Sequence, residues 1–175
     1  MQAFVLLLRG INVGGKNKVP MAPLVTLLQE KGFVNVKSYI QSGNLVFQCA
    51  QTPNAQEVEH WIQEVFDVRA QALVLDAARF ASLAEANPYR EQEGKLAHLY
   101  FCFSTPQWDE VKQAQWQTEK EVCTLNQDCL YLFAPDGIGR SRLVANIEAV
   151  LGVSATGRNL NTVNKLQAML TALPQ

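Results

Sequence analysis

The chain opens on an unbroken apolar run, residues 3–8, which predicts a strand buried on both faces and ending at Arg9. Pro20 suits the first turn of a helix, where its missing N–H costs nothing. Leu24, Leu27 and Leu28 form the stripe of that helix, and Gly32 stops it. Residues 36–40 and 45–49 read as two strands of a hairpin, joined by turn chemistry at 41–44. From about residue 55 the apolar positions Val58, Trp61, Ile62, Val65 and Phe66 recur at i, i+3, i+4, i+7 and i+8, which is helical spacing. Residues 71–75 form a fourth strand. Asp76 caps a helix running to about residue 86, and Asn87-Pro88 breaks it. The element order so far is βαββαβ, that of a ferredoxin-like unit.

The pattern then restarts. Residues 97–103 predict a strand, 106–116 a helix with Thr105 as N-cap, and 122–125 with 129–133 a hairpin. A helix over 138–151 turns Leu143, Ile147, Val150 and Leu151 inward, a short strand covers 154–156, and a last helix covers 160–173. The expected class is therefore α+β, with two ferredoxin-like halves packed together, 1–87 and 88–175, dividing across residues 88–96. The repeat is one of element order, not of residue identity.

Composition adds bounds. With 175 residues, 48% of them apolar and 18% charged, the chain can bury a core without disulfides or metals. A net charge of -1 does not indicate a strongly basic nucleic-acid binder. The charge is uneven, however: net +4 over residues 1–48, -7 over 49–128 and +2 over 129–175. The cysteines, Cys49, Cys102, Cys123 and Cys129, form no C-x-x-C pair and lie in apolar runs, as free thiols of a reducing cytosol do. His60 and His98 match no metal-ligand spacing. The first apolar run is too short for a signal peptide or a membrane span, so a cytoplasmic location is expected.

Candidate chemistry lies in four polar turns. Gly10 to Lys16 fits G-x-x-x-x-G-K, but Asn17 stands where a magnesium-binding Ser or Thr belongs, and the helix begins at Pro20 rather than at Lys16. This is not the loop of a nucleotide triphosphatase. Backbone N–H groups freed by Gly14 and Gly15, with Arg9, Asn12, Lys16 and Lys18, can still hold an anion; the alternative is a flexible turn with solvated lysines. Gln41, Ser42 and Asn44 sit in a hairpin turn, and which end of the first strand they approach depends on register. In PDGIGRSR, Arg140, Ser141 and Arg142 fall at a helix start, where the dipole disfavours cations unless an anion or a carboxylate such as Asp136 or Glu148 compensates. Arg158 adds a third charge in GRNLNT, where Asn159 or Asn161 can cap the last helix. No Ser-His-Asp set, paired carboxylates or dinucleotide G-x-G-x-x-G is present, Ser42 and Ser141 lack an evident histidine base, and no cofactor is indicated. Whether the protein is an enzyme stays open. An RNA-recognition module is disfavoured, since GNLVFQC carries Phe47 as its single aromatic.

Taken together, LLRGINVGGKNKVPM, YIQSGNLVF, NPY, YLFAPDGIGRSRL and GRNLNTVNKL resemble the signature stretches of the bacterial domain-of-unknown-function family 1697 (DUF1697) over nearly the whole chain. Leu160 stands where that pattern has an aromatic and Arg142 where it has Lys. The resemblance implies two ferredoxin-like halves and a shared site in the glycine-rich and basic turns, and no activity. The expected function is binding of an anionic, phosphorylated or nucleotide ligand in a basic cleft between the halves, formed by Arg9, Lys16, Arg140, Arg142 and Arg158. A structural or protein-interaction module is the competing reading, nucleic-acid binding comes third, and a homo-oligomer is compatible with all three.

Overall fold

A computed structural model describes residues 1–175. The first sheet contains β1 (Gln2–Arg9), β2 (Val34–Tyr39), β3 (Asn44–Cys49) and β4 (Gln71–Asp76), antiparallel in the order β2-β3-β1-β4. This is the ferredoxin-like arrangement, in which β3 lies between the two strands of the first β-α-β crossover. The crossover helix is α1 (Met21–Glu30); α2 (Ala55–Phe66) links β3 to β4, and α3 (Ala77–Glu85) follows. Alternation along β1 and β3 turns Phe4, Leu6, Leu8, Leu45 and Phe47 toward Leu24 and Leu28 of α1 and Val58 and Ile62 of α2. Phe47 stacks on Phe33 at 4.5 Å and on Phe4 at 5.7 Å between ring centroids. Asn54 caps α2 by accepting from the Gln56 and Glu57 N–H groups, and Asp76 accepts from Arg79 N at 2.7 Å at the start of α3.

The second sheet repeats the topology. Strands β5 (Ala97–Cys102), β6 (Val122–Asn126), β7 (Cys129–Phe133) and β8 (Ala155–Asn159) are antiparallel in the order β6-β7-β5-β8. The helices are α4 (Glu110–Trp116), α5 (Arg142–Ala145), α6 (Ile147–Leu151) and the closing α7 (Leu160–Thr171). Tyr100, Leu130, Leu132, Leu143, Val150 and Leu151 form the core on the helix face of this sheet.

Three elements depart from the sequence expectation, two through tertiary contacts and one through a local side-chain bond. α4 begins at Glu110 with Asp109 as its cap, not at Pro106 with Thr105. Gln107 N and Asp109 N instead donate to the carbonyls of Leu151 and Val150, which holds the segment extended. The helix expected over 138–151 is two short ones, because Asn146 leaves helical geometry (φ -119, ψ 19) and its side chain donates to Arg142 O at 2.7 Å. β8 extends to Asn159, since its polar residues are drawn into pairing with apolar β5.

By compactness the chain divides into Met1–Ser82 with Asn164–Gln175, and Leu83–Val163. This differs from the halves 1–87 and 88–175 read from element order. The C-terminal residues are tied into the first unit: Gln48 Nε2 donates to Pro174 O at 2.6 Å, and Lys165 lies over the Tyr39 ring at 5.9 Å. All four cysteines are free, and burial, with the charge of Asp128, pushes the Cys102 thiol up to about 11. Burial lowers the pKa of His98, so the neutral imidazole is favoured, and its Nδ1 is buried without a hydrogen-bond partner. No helix is long and apolar enough to cross a membrane.

Candidate functional site

In the first unit, register answers the question left by the hairpin turn. Leu7 pairs with Asn44, and Leu8 N donates to Gly43 O at 2.9 Å, so the 40–43 turn lies at the exit end of β1 beside the glycine-rich loop. That loop is a small hairpin of its own. Asn12 N donates to Asn17 O and Lys16 N to Val13 O, both at 3.0 Å, and Gly14 (φ 57) and Gly15 (φ 73) take the two left-handed positions of a type I′ turn. The glycines thus serve the turn, and the Lys16 N–H is committed within it. Val13, Lys16 and Lys18 are exposed on this tip.

Asn12 ties the loop down. Its Nδ2 donates to Val19 O at 2.9 Å and Gln41 O at 2.7 Å, and its Oδ1 accepts from Val19 N at 2.8 Å. Asn12→Asp keeps the acceptor but sets a carboxylate oxygen against two carbonyls. It should lower stability by about 2 kcal/mol in urea unfolding, without any ligand present. An unchanged midpoint would show that this amide does not frame the loop. Arg9 donates through Nη1 to Gln71 Oε1 at 2.8 Å on β4. Asn44, fully buried, donates to Tyr39 O and Ser42 Oγ, closing the turn. Ile40 holds φ 49 with its side chain half exposed, a conformation that strains a β-branched residue.

In the second unit, the 118–121 turn and the 135–141 segment line a pocket of about 580 Å³. Glu121 is buried at its floor. Its Oε1 accepts from Thr118 N at 2.9 Å, and its Oε2 accepts from Ser141 Oγ at 2.5 Å. Glu121 N in turn donates to Thr118 Oγ1 at 3.4 Å. This is the reciprocal pairing of a capping box, but a strand rather than a helix follows it. Ser141 Oγ also accepts from Val144 N at 3.1 Å and so caps α5. Burial, and then the charge of Glu121, pushes the Tyr100 phenol well above its usual range.

Arg140 lines this pocket, exposed and without an ion pair. The two carboxylates that could have neutralised it are engaged elsewhere: Asp136 with Lys120 at 3.5 Å, and Glu148 Oε1 with Ala155 N at 3.2 Å. Arg142 is exposed at the start of α5. Arg158 is not in the pocket. It is a buried residue of β8, donating through Nη1 to Thr156 Oγ1 at 2.7 Å and Gly157 O at 2.8 Å, and burial lowers its pKa to about 10. Asn159 caps α7 by accepting from Thr162 N at 2.9 Å. Thr118, Lys120 and Glu121 were not anticipated; their one sequence signal is T-x-x-E, which reads as a helix start in a charged, solvated stretch.

The family model described as "Protein of unknown function (DUF1697)" matches residues 1–131. Among solved structures, a conserved bacterial protein, SP0830 from Streptococcus pneumoniae, is similar with a TM-score of 0.70 and 25% identity, over 97% of this chain and 98% of that one. No curated protein matches.

Proposed function

The chain belongs to the DUF1697 family of proteins of unknown function, and we propose that it binds a small anionic ligand, one bearing a phosphate group, in the Arg140 pocket. What supports this reading lies within the second unit. Lys120 is paired with Asp136, and both oxygens of Glu121 have donors, so the charge left without a protein partner at the pocket is that of Arg140. A guanidinium offers a planar fork of donors suited to phosphate oxygens. Lys120 stands at the same pocket, and its exposed pair with Asp136 is weak enough to yield to a phosphate.

The test is calorimetric titration of inorganic phosphate and of a nucleoside monophosphate. Arg140→Ala should weaken binding about tenfold or more, the loss of one charge-assisted pair, while the melting temperature of the unliganded protein stays unchanged. Equal affinity in the variant would refute the reading. Lys16→Ala in the same titration tests the basic turn of the first unit as an anion contact.

A further inference from the structure

Strand β2 is an edge of the first sheet, hydrogen-bonded on the β3 side alone. Along its open side runs a groove of about 900 Å³, walled by Met21 and Val25 of α1 and by Lys165 and Met169 of α7, with β2 from Val36 to Tyr39 as its floor. The other edge of this sheet is treated differently, because Glu59 Oε1 takes the N–H of Ala72 on β4 at 2.9 Å. Alternation sends Val36 and Ser38 toward α1 and Lys37 and Tyr39 toward the α7 wall, where Lys165 lies over the Tyr39 ring. The groove carries two ammonium groups, Lys37 and Lys165, and no acidic side chain.

We propose that this groove takes an extended peptide segment of a partner protein, added to the sheet as a strand beside β2, with acidic residues alternating with apolar ones. Strand addition supplies main-chain hydrogen bonds, and the alternating pockets supply selectivity. Residues 36–39 span about 13 Å, matched by four residues of extended peptide. On such a strand every second side chain meets Met21 and Val25 of α1 beside Val36 of β2, which selects apolar groups. The intervening side chains meet Lys37 and Lys165, which select carboxylates. A second copy of this chain is the poorer occupant, since pairing two β2 strands crowds two Lys37 and two Lys165 ammonium groups onto one short seam.

The experiment measures fluorescence anisotropy of a labelled octapeptide alternating Val and Glu, against the wild-type protein. Saturable binding is expected, about tenfold tighter than for the Val/Lys counterpart. Backbone N-methylation of alternate residues in one register should weaken it about tenfold, while the other register, facing away from β2, leaves it nearly unchanged. Lys165→Glu, an exposed change, should also cost about tenfold with the fold intact by circular dichroism. Failure to saturate by about 1 mM, tolerance of N-methylation in both registers, or indifference to Lys165→Glu would overturn the proposal. So would self-association through β2 in analytical ultracentrifugation that excludes the peptide. Phosphate binding at Arg140 is unaffected by any of these outcomes.

Discussion

Gly43→Ala is expected to destabilise the protein by about 3 kcal/mol, whereas Gly14→Ala costs about 1 kcal/mol. Both glycines hold a left-handed conformation, φ 91 and φ 57, so the backbone penalty of a Cβ applies to each. They differ in what the new atom meets. At Gly14 there is open space. At Gly43 it would lie 2.7 Å from Leu8 Cβ and 2.9 Å from Ile11 Cδ1. Leu8 cannot move aside, because its Cβ is anchored to β1 and its N–H donates to Gly43 O. Relief would require peeling the 40–43 turn off β1, which would also free the loop that Asn12 fastens to Gln41 O. The difference is read from urea unfolding of the two variants against wild type. If they prove equally costly, the hairpin turn does not sit on the end of β1 as described, and the adjacency of the two loops falls with it.

How much of this was legible in the sequence follows from which interactions decide each element. Strand β1 is fixed by its unbroken apolar run and helices α1 and α2 by local apolar periodicity, and their positions match these patterns closely. The extended segment before α4 depends on bonds to the end of α6, which no local pattern encodes, while the break at Asn146 rests on a local bond to Arg142 O that the apolar periodicity of 138–151 masks. The candidate site was legible in the same graded way. Arg140 and Ser141 belong to a turn marked by glycines, and the structure places both at the pocket. Glu121 lies in T-E-K-E, where charge reads as surface, and it is buried because Ser141 and Thr118 satisfy it from two different segments. Arg158 shows the opposite case: its charge suggests a ligand contact, whereas in the structure pairing with β5 buries it and its Nη1 donates to Thr156 Oγ1 and Gly157 O. Asn12 likewise looked like a ligand contact, and its amide is engaged with Val19 of its own loop and with Gln41 O of the neighbouring turn.

Ser141→Ala is expected to cost about 3 kcal/mol, more than removal of a helix cap alone. One hydroxyl does two jobs here: it accepts from Val144 N at the start of α5 and donates to Glu121 Oε2. Losing the cap accounts for about 1 kcal/mol. The remainder, about 2 kcal/mol, comes from leaving a buried carboxylate oxygen without its donor. A double-mutant cycle separates the two. In a Glu121→Ala background the same serine change should cost only the cap, about 1 kcal/mol, giving a coupling energy near 2 kcal/mol. Additive losses would mean that the hydroxyl and the carboxylate are not coupled, and that the floor of the pocket is held by something else. Coupling on the expected scale would make the short bond between Ser141 and Glu121 the tie that joins the 118–121 turn to the segment carrying Arg140. Phosphate affinity should then fall in Ser141→Ala as well as in Arg140→Ala, with only the former also losing stability.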